Sequence, residues 1–159
     1  MPGKLTAEEF LLKAGYSSPS IKLYLEKVNV GAMENPSVTS TYVGLPCGDR
    51  ITIYLKLGEN ETIQEAKFEY DGCVGTACSG SALTLLITHK TIEEAWRITK
   101  EDVLDKLGGL PESHCAEIAV NALRKALENL ESRKTNCKTW GFAMIMLVAS
   151  GKGDRQSFR

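Results

Sequence analysis

The chain carries five cysteines, Cys47, Cys73, Cys78, Cys115 and Cys137, and three of them fall at the ends of expected elements rather than inside them. Cys47 sits in Pro46-Cys47-Gly48-Asp49, Cys73 in Asp71-Gly72-Cys73-Val74-Gly75, and Cys115 directly after His114. A thiolate binds soft metals and attacks sulfur, and it is stabilised by backbone amides and by the positive end of a helix dipole. Flanking glycines let the backbone approach a bulky ligand and donate N-H groups to its sulfurs. Three thiolates joined by the Asp49 carboxylate or the His114 imidazole would make a four-ligand set for Zn²⁺ or an iron-sulfur cluster. Spacing alone does not single out that chemistry, because no C-x-x-C pair is present. Three separate buried thiols would give the same count.

The elements decide whether these side chains can meet. Ile51, Ile53, Leu55 and Leu57 alternate with Thr52, Tyr54 and Lys56, and Gly58-Glu59-Asn60 turns the chain into a second strand over 63–70. A third strand is expected over 39–43. A hairpin returns the end of its second strand to the start of its first, which would make Cys47 and Cys73 neighbours. Thr6 and Glu9 form a capping-box pattern for a short N-terminal helix that stops at Gly15, and another helix is expected over 21–28, before a turn-rich loop over 29–40. A buried helix is expected over 76–88. Thr91 with Glu94 and Thr99 with Asp102 then start two short helices, the second stopped by Gly108-Gly109. The longest helix is expected over 114–132, with Ile118, Ala119, Ala122, Leu123, Ala126, Leu127 and Leu130 on one face, followed by a linker over 134–138. If its N-terminus meets the hairpin edge, Cys115, His114 and Asp49 join the other two cysteines. Strands first and helices after define an α+β class: a three-stranded antiparallel sheet packed by helices.

Composition bounds the rest. The 159 residues are 43% hydrophobic and 25% charged, an ordinary globular balance that excludes a wholly disordered or collagen-like chain. Nineteen basic against twenty acidic residues leave a net charge of -1, which argues against nucleic acid as the main partner. Lys4, Glu8, Glu9 and Lys13 interrupt any apolar leader, so a cytoplasmic location is expected, where thiols stay reduced. The longest apolar run, Phe142 to Ala149, would span about 12 Å as a helix, short of the roughly 20 residues that cross a bilayer, so no membrane partner is expected.

Three stretches carry a resemblance. Tyr42-Val43-Gly44-Leu45-Pro46-Cys47-Gly48-Asp49, then Ala66-Lys67-Phe68-Glu69-Tyr70-Asp71-Gly72-Cys73, then Leu107-Gly108-Gly109-Leu110-Pro111-Glu112-Ser113-His114-Cys115-Ala116 resemble the IscU and NifU N-terminal family of iron-sulfur cluster assembly scaffolds. The resemblance runs from about Ser20 to Ser132. It implies an IscU-like (SufE/NifU-like) scaffold fold over 20–132, with an N-terminal extension over 1–19 and a C-terminal tail over 133–159. It also implies a [2Fe-2S] cluster built from iron, with zinc able to use the same site, at Cys47, Asp49, Cys73, His114 and Cys115. By the same resemblance Cys115 accepts persulfide sulfur from a cysteine desulfurase, and Asp49 modulates cluster lability. Iron-sulfur apo-proteins would receive the product, and an iron or electron donor protein would be a further partner. The segment Leu110-Pro111-Glu112-Ser113 departs from the Leu-Pro-Pro-Val-Lys of bacterial IscU, which argues against delivery through a dedicated Hsp70 chaperone. Unlike the zinc-dependent SufU branch, the chain has no insertion between its second and third cysteines and keeps His114.

Other readings stay beside these. Cys78 fits a core filler better than a fifth ligand, Cys137 an incidental surface thiol, and His89 a solvated side chain. Asp49 could merely cap a turn, and His114 could serve a helix start. The rivals to a non-enzymatic scaffold are a zinc-dependent sulfurtransferase that accepts persulfide from the desulfurase and a structural zinc module that only mediates contacts.

Overall fold

The structure is a computed structural model that describes the backbone of residues 3–150 and the side chains of residues 3–135. Three strands form one antiparallel sheet in the order β1 (Val38–Val43), β2 (Arg50–Leu57), β3 (Ile63–Asp71). Alternation sets its two faces. Ile51, Ile53 and Leu55 of β2 and Phe68 of β3 are fully buried, while the opposite face carries a Thr41 to Thr52 hydroxyl pair at 2.8 Å and an Arg50 to Asp71 ion pair at 3.2 Å. Val43 pairs with Arg50 and Arg50 with Asp71, so β1 and β3 finish, and β2 starts, at one end of the sheet.

Both edges are managed. Along β3, Gly31 donates to the Phe68 carbonyl, Phe68 to Asn29, and Ile63 to Lys90. On the β1 side the Lys125 ammonium donates to the Thr41 carbonyl at 2.9 Å, placing a charge on the exposed edge.

Among the described residues there are six α-helices, and the starts of four follow side-chain capping chemistry. Thr6, Thr91 and Thr99 each form a full capping box, for α1 (Ala7–Lys13), α4 (Ile92–Trp96) and α5 (Lys100–Leu107), and Gly108 ends α5 in the left-handed region at φ 70°. The second helix, α2 (Ser18–Leu25), begins three residues before its expected start, because Ser17 accepts the Ser20 N-H and Pro19 sits in the first turn.

α3 (Val74–Ile87) is buried on nearly every side and packs on β3, β2, α2 and α5. Its polar side chains are paired: Ser79 donates to the Gly75 carbonyl at 2.7 Å and Ser81 to that of Val28 at 2.9 Å. Gly80 lets the helix lie directly on the sheet, for a Cβ there would overlap the Phe68 ring.

α6 (His114–Ser150) corrects one expectation. The backbone over 134–138 is helical, not a linker, and no proline or glycine interrupts that stretch. The first half of α6 buries Cys115, Ala116, Ile118, Ala119, Ala122, Leu123, Ala126 and Leu127, which matches the expected apolar face. Residues 3–127 lie in one compact unit, and residues 128 onward belong to a second. Within that second unit, the Thr135 hydroxyl donates to the Glu131 carbonyl at 3.0 Å. The side chains of Cys137 and of the apolar run Phe142 to Ala149 lie outside the described residues. Among the described residues, no helix is long and apolar enough to cross a membrane.

The Gly80 contact is testable. Gly80→Ala should cost about 1–3 kcal/mol, because the added methyl forces Phe68 off its position in a filled core, and a lowered urea midpoint with an unchanged slope would report it.

Candidate metal centre

The end of the sheet where β1 and β3 finish and β2 starts is also where two helices begin. Cys73 is the residue before α3 and occupies its N-cap position, with no side-chain capping bond. Cys115 is the second residue of α6. Their sulfurs lie 3.5 Å apart. A tetrahedral ion with metal-sulfur bonds of about 2.3 Å holds its two sulfurs about 3.8 Å apart, so the pair stands close to chelating separation. Gly75 makes room for it: a Cβ there would lie 3.0 Å from the Cys115 sulfur and 3.5 Å from that of Cys73.

Asp49 approaches from the loop between β1 and β2. Its Oδ2 accepts the Thr76 hydroxyl at 2.6 Å and the Cys73 N-H at 3.2 Å. Gly72 permits this contact, since a Cβ there would lie 2.6 Å from the Asp49 carboxyl carbon. The ligating atoms of Asp49, Cys73 and Cys115 all fall within 4.8 Å of one another, and so do those of Glu112, His114 and Cys115. Among the described residues these are the two clusters of metal-ligating groups, and Cys115 belongs to both.

The sequence placed five side chains together, and the structure brings in four. Cys47 stays out of both clusters. Its loop closes as a tight turn, with Gly44 N-H on the Asp49 carbonyl and Gly48 N-H on the Gly44 carbonyl, both at 2.8 Å. The Cys47 sulfur is turned back 3.7 Å from the Gly44 carbonyl and is exposed. The loop remains at the same end of the fold, because Gly44 sits directly on Ile118, three residues beyond Cys115 on α6. His114 divides its contacts: Nε2 lies 4.0 Å from the Cys115 sulfur and 3.7 Å from Glu112 Oε2.

Electrostatics explain what the thiols do without a cation. Burial pushes the Cys115 thiol up to about 12, and the nearby Cys73 sulfur and Asp49 carboxylate oppose its ionisation further. Asp49 moves the other way. The Thr76 hydroxyl, with help from the Cys73 N-H, holds it below the ordinary carboxylate range against the opposing effect of burial. Cys78 is fully buried, donates to the Ser20 carbonyl at 3.3 Å and is raised to about 12, as a core filler should be.

Sequence reasoning missed two contributors. Thr76 stands three residues after Cys73, the N3 position of α3, where a hydroxyl can reach whatever the helix start faces. Tyr16 comes from the stretch treated as an extension. Burial, then the Cys73, Cys78 and Cys115 sulfurs, raise its phenol, against a lowering hydrogen bond from the Gly75 backbone.

The sequence matches the family model described as NifU-like N terminal domain over residues 15–137. Relatives include the iron-sulfur cluster assembly scaffold protein IscU 1 of Archaeoglobus fulgidus, 38% identical over 114 residues that cover 70% of this chain and 74% of that protein. The iron-sulfur cluster assembly scaffold protein IscU of Escherichia coli is 31% identical over 123 residues, covering 75% of this chain and 96% of that one. Among solved structures, the N-terminal part of a NifU-like protein from Brucella abortus superposes with a TM-score of 0.58 over 73% of this chain and 94% of that one, at 15% identity, which is a likeness of fold.

The Thr76 to Asp49 bond sets a pH expectation. A depressed carboxylate contributes stability above its ordinary range and loses it as pH falls through the depressed value. Thr76→Val keeps the side-chain shape and removes the donor, so the Asp49 midpoint in a carboxyl NMR titration should rise toward 3.8. Alkylation of the metal-free, reduced chain at pH 8, mapped by mass spectrometry, should label the exposed Cys47 and Cys73 well ahead of Cys78 and Cys115.

Proposed function

The chain belongs to the NifU-like N-terminal domain family, and from that membership we propose that it is a scaffold on which an iron-sulfur cluster is assembled and from which it is passed on. The observation that carries the reading is the Cys73 and Cys115 sulfur pair, 3.5 Å apart beside the Asp49 carboxylate. The cargo is [2Fe-2S], with ferrous iron and sulfane sulfur as substrates.

The proposed order of events follows from charge. Without a cation the Cys115 thiol is protonated at neutral pH and a poor nucleophile. A ferrous ion bridging Cys73, Asp49 and Cys115 would displace the thiol protons to solvent, so iron precedes sulfur. The Cys115 thiolate then attacks the outer sulfur of a cysteine desulfurase persulfide. A sulfur-sulfur bond forms on Cys115, the desulfurase thiolate leaves, and no net oxidation occurs. Reducing that sulfane sulfur to sulfide takes two electrons, which an electron donor protein would supply. Cys47 would enter as the third thiolate through movement of its glycine-flanked loop, and His114 would complete the set.

Release to apo-proteins favours a shallow site and labile ligands. Asp49 supplies the latter, because a carboxylate is a harder, weaker ligand for iron than a thiolate. The proposed setting is the cytoplasm, without nucleic acid or membrane. A second reading is a zinc-dependent sulfurtransferase, favoured by the fit of two sulfurs and a carboxylate to a tetrahedral zinc ion.

Anaerobic reconstitution with ferrous iron, cysteine and a desulfurase separates the two. The scaffold reading expects visible charge-transfer absorption with equal iron and acid-labile sulfide, abolished by Cys73→Ser and made longer-lived by Asp49→Ala. Persulfide transfer that requires zinc and never yields that absorption would establish the sulfurtransferase instead.

A further inference from the structure

The two edges of the sheet are closed unequally. The outer edge of β3 bonds to Asn29, Gly31 and Lys90, while that of β1, among the described residues, accepts one side-chain donor, Lys125. Gly44 N-H donates across to the Asp49 carbonyl, and bonding residues alternate along an antiparallel ladder, so Tyr42 and Ser40 face β2 in turn. Thr39, Thr41 and Val43 therefore turn their N-H and C=O groups outward, and the Lys125 contact with the Thr41 carbonyl at 2.9 Å agrees with that. Thr39 and Val43 are exposed. An open row of this kind is a template for another strand.

The helix α6 forms a wall beside it. Gly44 seats on Ile118, and Thr41 takes Lys125. Three residues of strand cover about 10 Å and seven of helix about 10.5 Å, so β1 and α6 run alongside each other in opposite senses. An unpaired edge is where extended segments add to a sheet. The exposed Lys125 ammonium meets no carboxylate among the described residues. A second copy pairing β1 with β1 about Thr41 would bring two such ammonium groups onto the axis, which sets the edge against itself. A segment that brings a carboxylate to Lys125 meets attraction instead.

We propose that β1 is a docking edge for an extended, acidic segment of a partner protein, which adds as a fourth strand antiparallel to β1 and pairs a carboxylate with Lys125. In that direction the segment starts beside Val43 and Leu45, 47% and 87% exposed, which offer apolar contacts to its first residues. Its start also lies at the sheet end that carries the loop of Cys47 and Asp49. A recipient cysteine just ahead of the strand would there face the cargo. That role rests on the scaffold reading; the docking itself does not.

The probe is the peptide acetyl-Ser-Val-Glu-Thr-Glu-Val-Ser-amide, whose Val and Thr side chains take one face of a strand and whose Glu side chains take the other. The same peptide with Lys for each Glu is its control. Full-length, reduced, metal-free, isotope-labelled protein is titrated with each at millimolar concentration and read by amide NMR shifts. The expected result is saturable shifts at Thr39, Thr41 and Val43 with the acidic peptide, and roughly tenfold weaker binding of the basic one. The chain's net charge of -1 gives no general preference for acid, so that order reports Lys125. Lys125→Glu, checked for folding by circular dichroism, should reverse it. A nitroxide at the peptide's N-terminus should broaden amides over 44–48, and one at its C-terminus should not. Absent shifts on β1, equal binding of the two peptides, the opposite nitroxide pattern, or an order that Lys125→Glu leaves unchanged overturns the proposal. Cluster reconstitution on the same samples keeps the two readings apart: docking without a cluster would fail the scaffold and leave the edge standing, and a cluster without docking would do the reverse.

Discussion

Two sulfurs 3.5 Å apart, with a carboxylate within 4.8 Å of both, cannot all carry negative charge unless a cation lies among them. The molecule resolves this by leaving the Cys115 thiol protonated, its pKa raised to about 12, and by tying the Asp49 charge to the Thr76 hydroxyl and the Cys73 amide. A divalent ion removes the conflict at once, because it turns mutual repulsion into shared attraction. The surrounding fold fixes that arrangement.

How it does so can be traced through few contacts. The antiparallel register brings Val43, Arg50 and Asp71 to one sheet end, which fixes the loop bearing Asp49 next to the start of α3. Gly72 and Gly75 are spaces rather than hinges there, since a Cβ would overlap the Asp49 carboxylate at the first and crowd the Cys115 sulfur at the second. Far from the thiols, Gly80 matters for the same end, because it seats α3 on Phe68 and so sets where Cys73 points. α6 is held by its alanine-rich buried face and by Lys125 on the β1 edge, and that placement carries Cys115 beneath Cys73.

The positions of the strands, the capping boxes and the long apolar face of α6 were legible because each depends on neighbours close in sequence: Thr6 with Glu9, Thr91 with Glu94, Ile51 with Ile53 and Leu55. The meeting of Cys73, Cys115 and Asp49 was legible in part, as glycines and element ends around each residue suggested an exposed, ligand-accepting corner. The turn of Cys47 toward its own loop was not, because it depends on Gly44 seating against Ile118, a contact across more than seventy residues. Thr76 and Tyr16 escaped for a related reason. A hydroxyl announces no partner in sequence, and only the folded chain shows that one reaches Asp49 and the other lies among the sulfurs.

The central claim is that Cys73 and Cys115 share one ion with a carboxylate. X-ray absorption at the zinc edge, on metal-free protein loaded anaerobically with one equivalent of Zn²⁺, reads the ligands directly. The account predicts two sulfur scatterers at about 2.3 Å with the remaining shell of oxygen and nitrogen near 2.0–2.2 Å, and a loss of sulfur scattering in Cys73→Ser. A first shell with one sulfur or none, unchanged by that substitution, would contradict it.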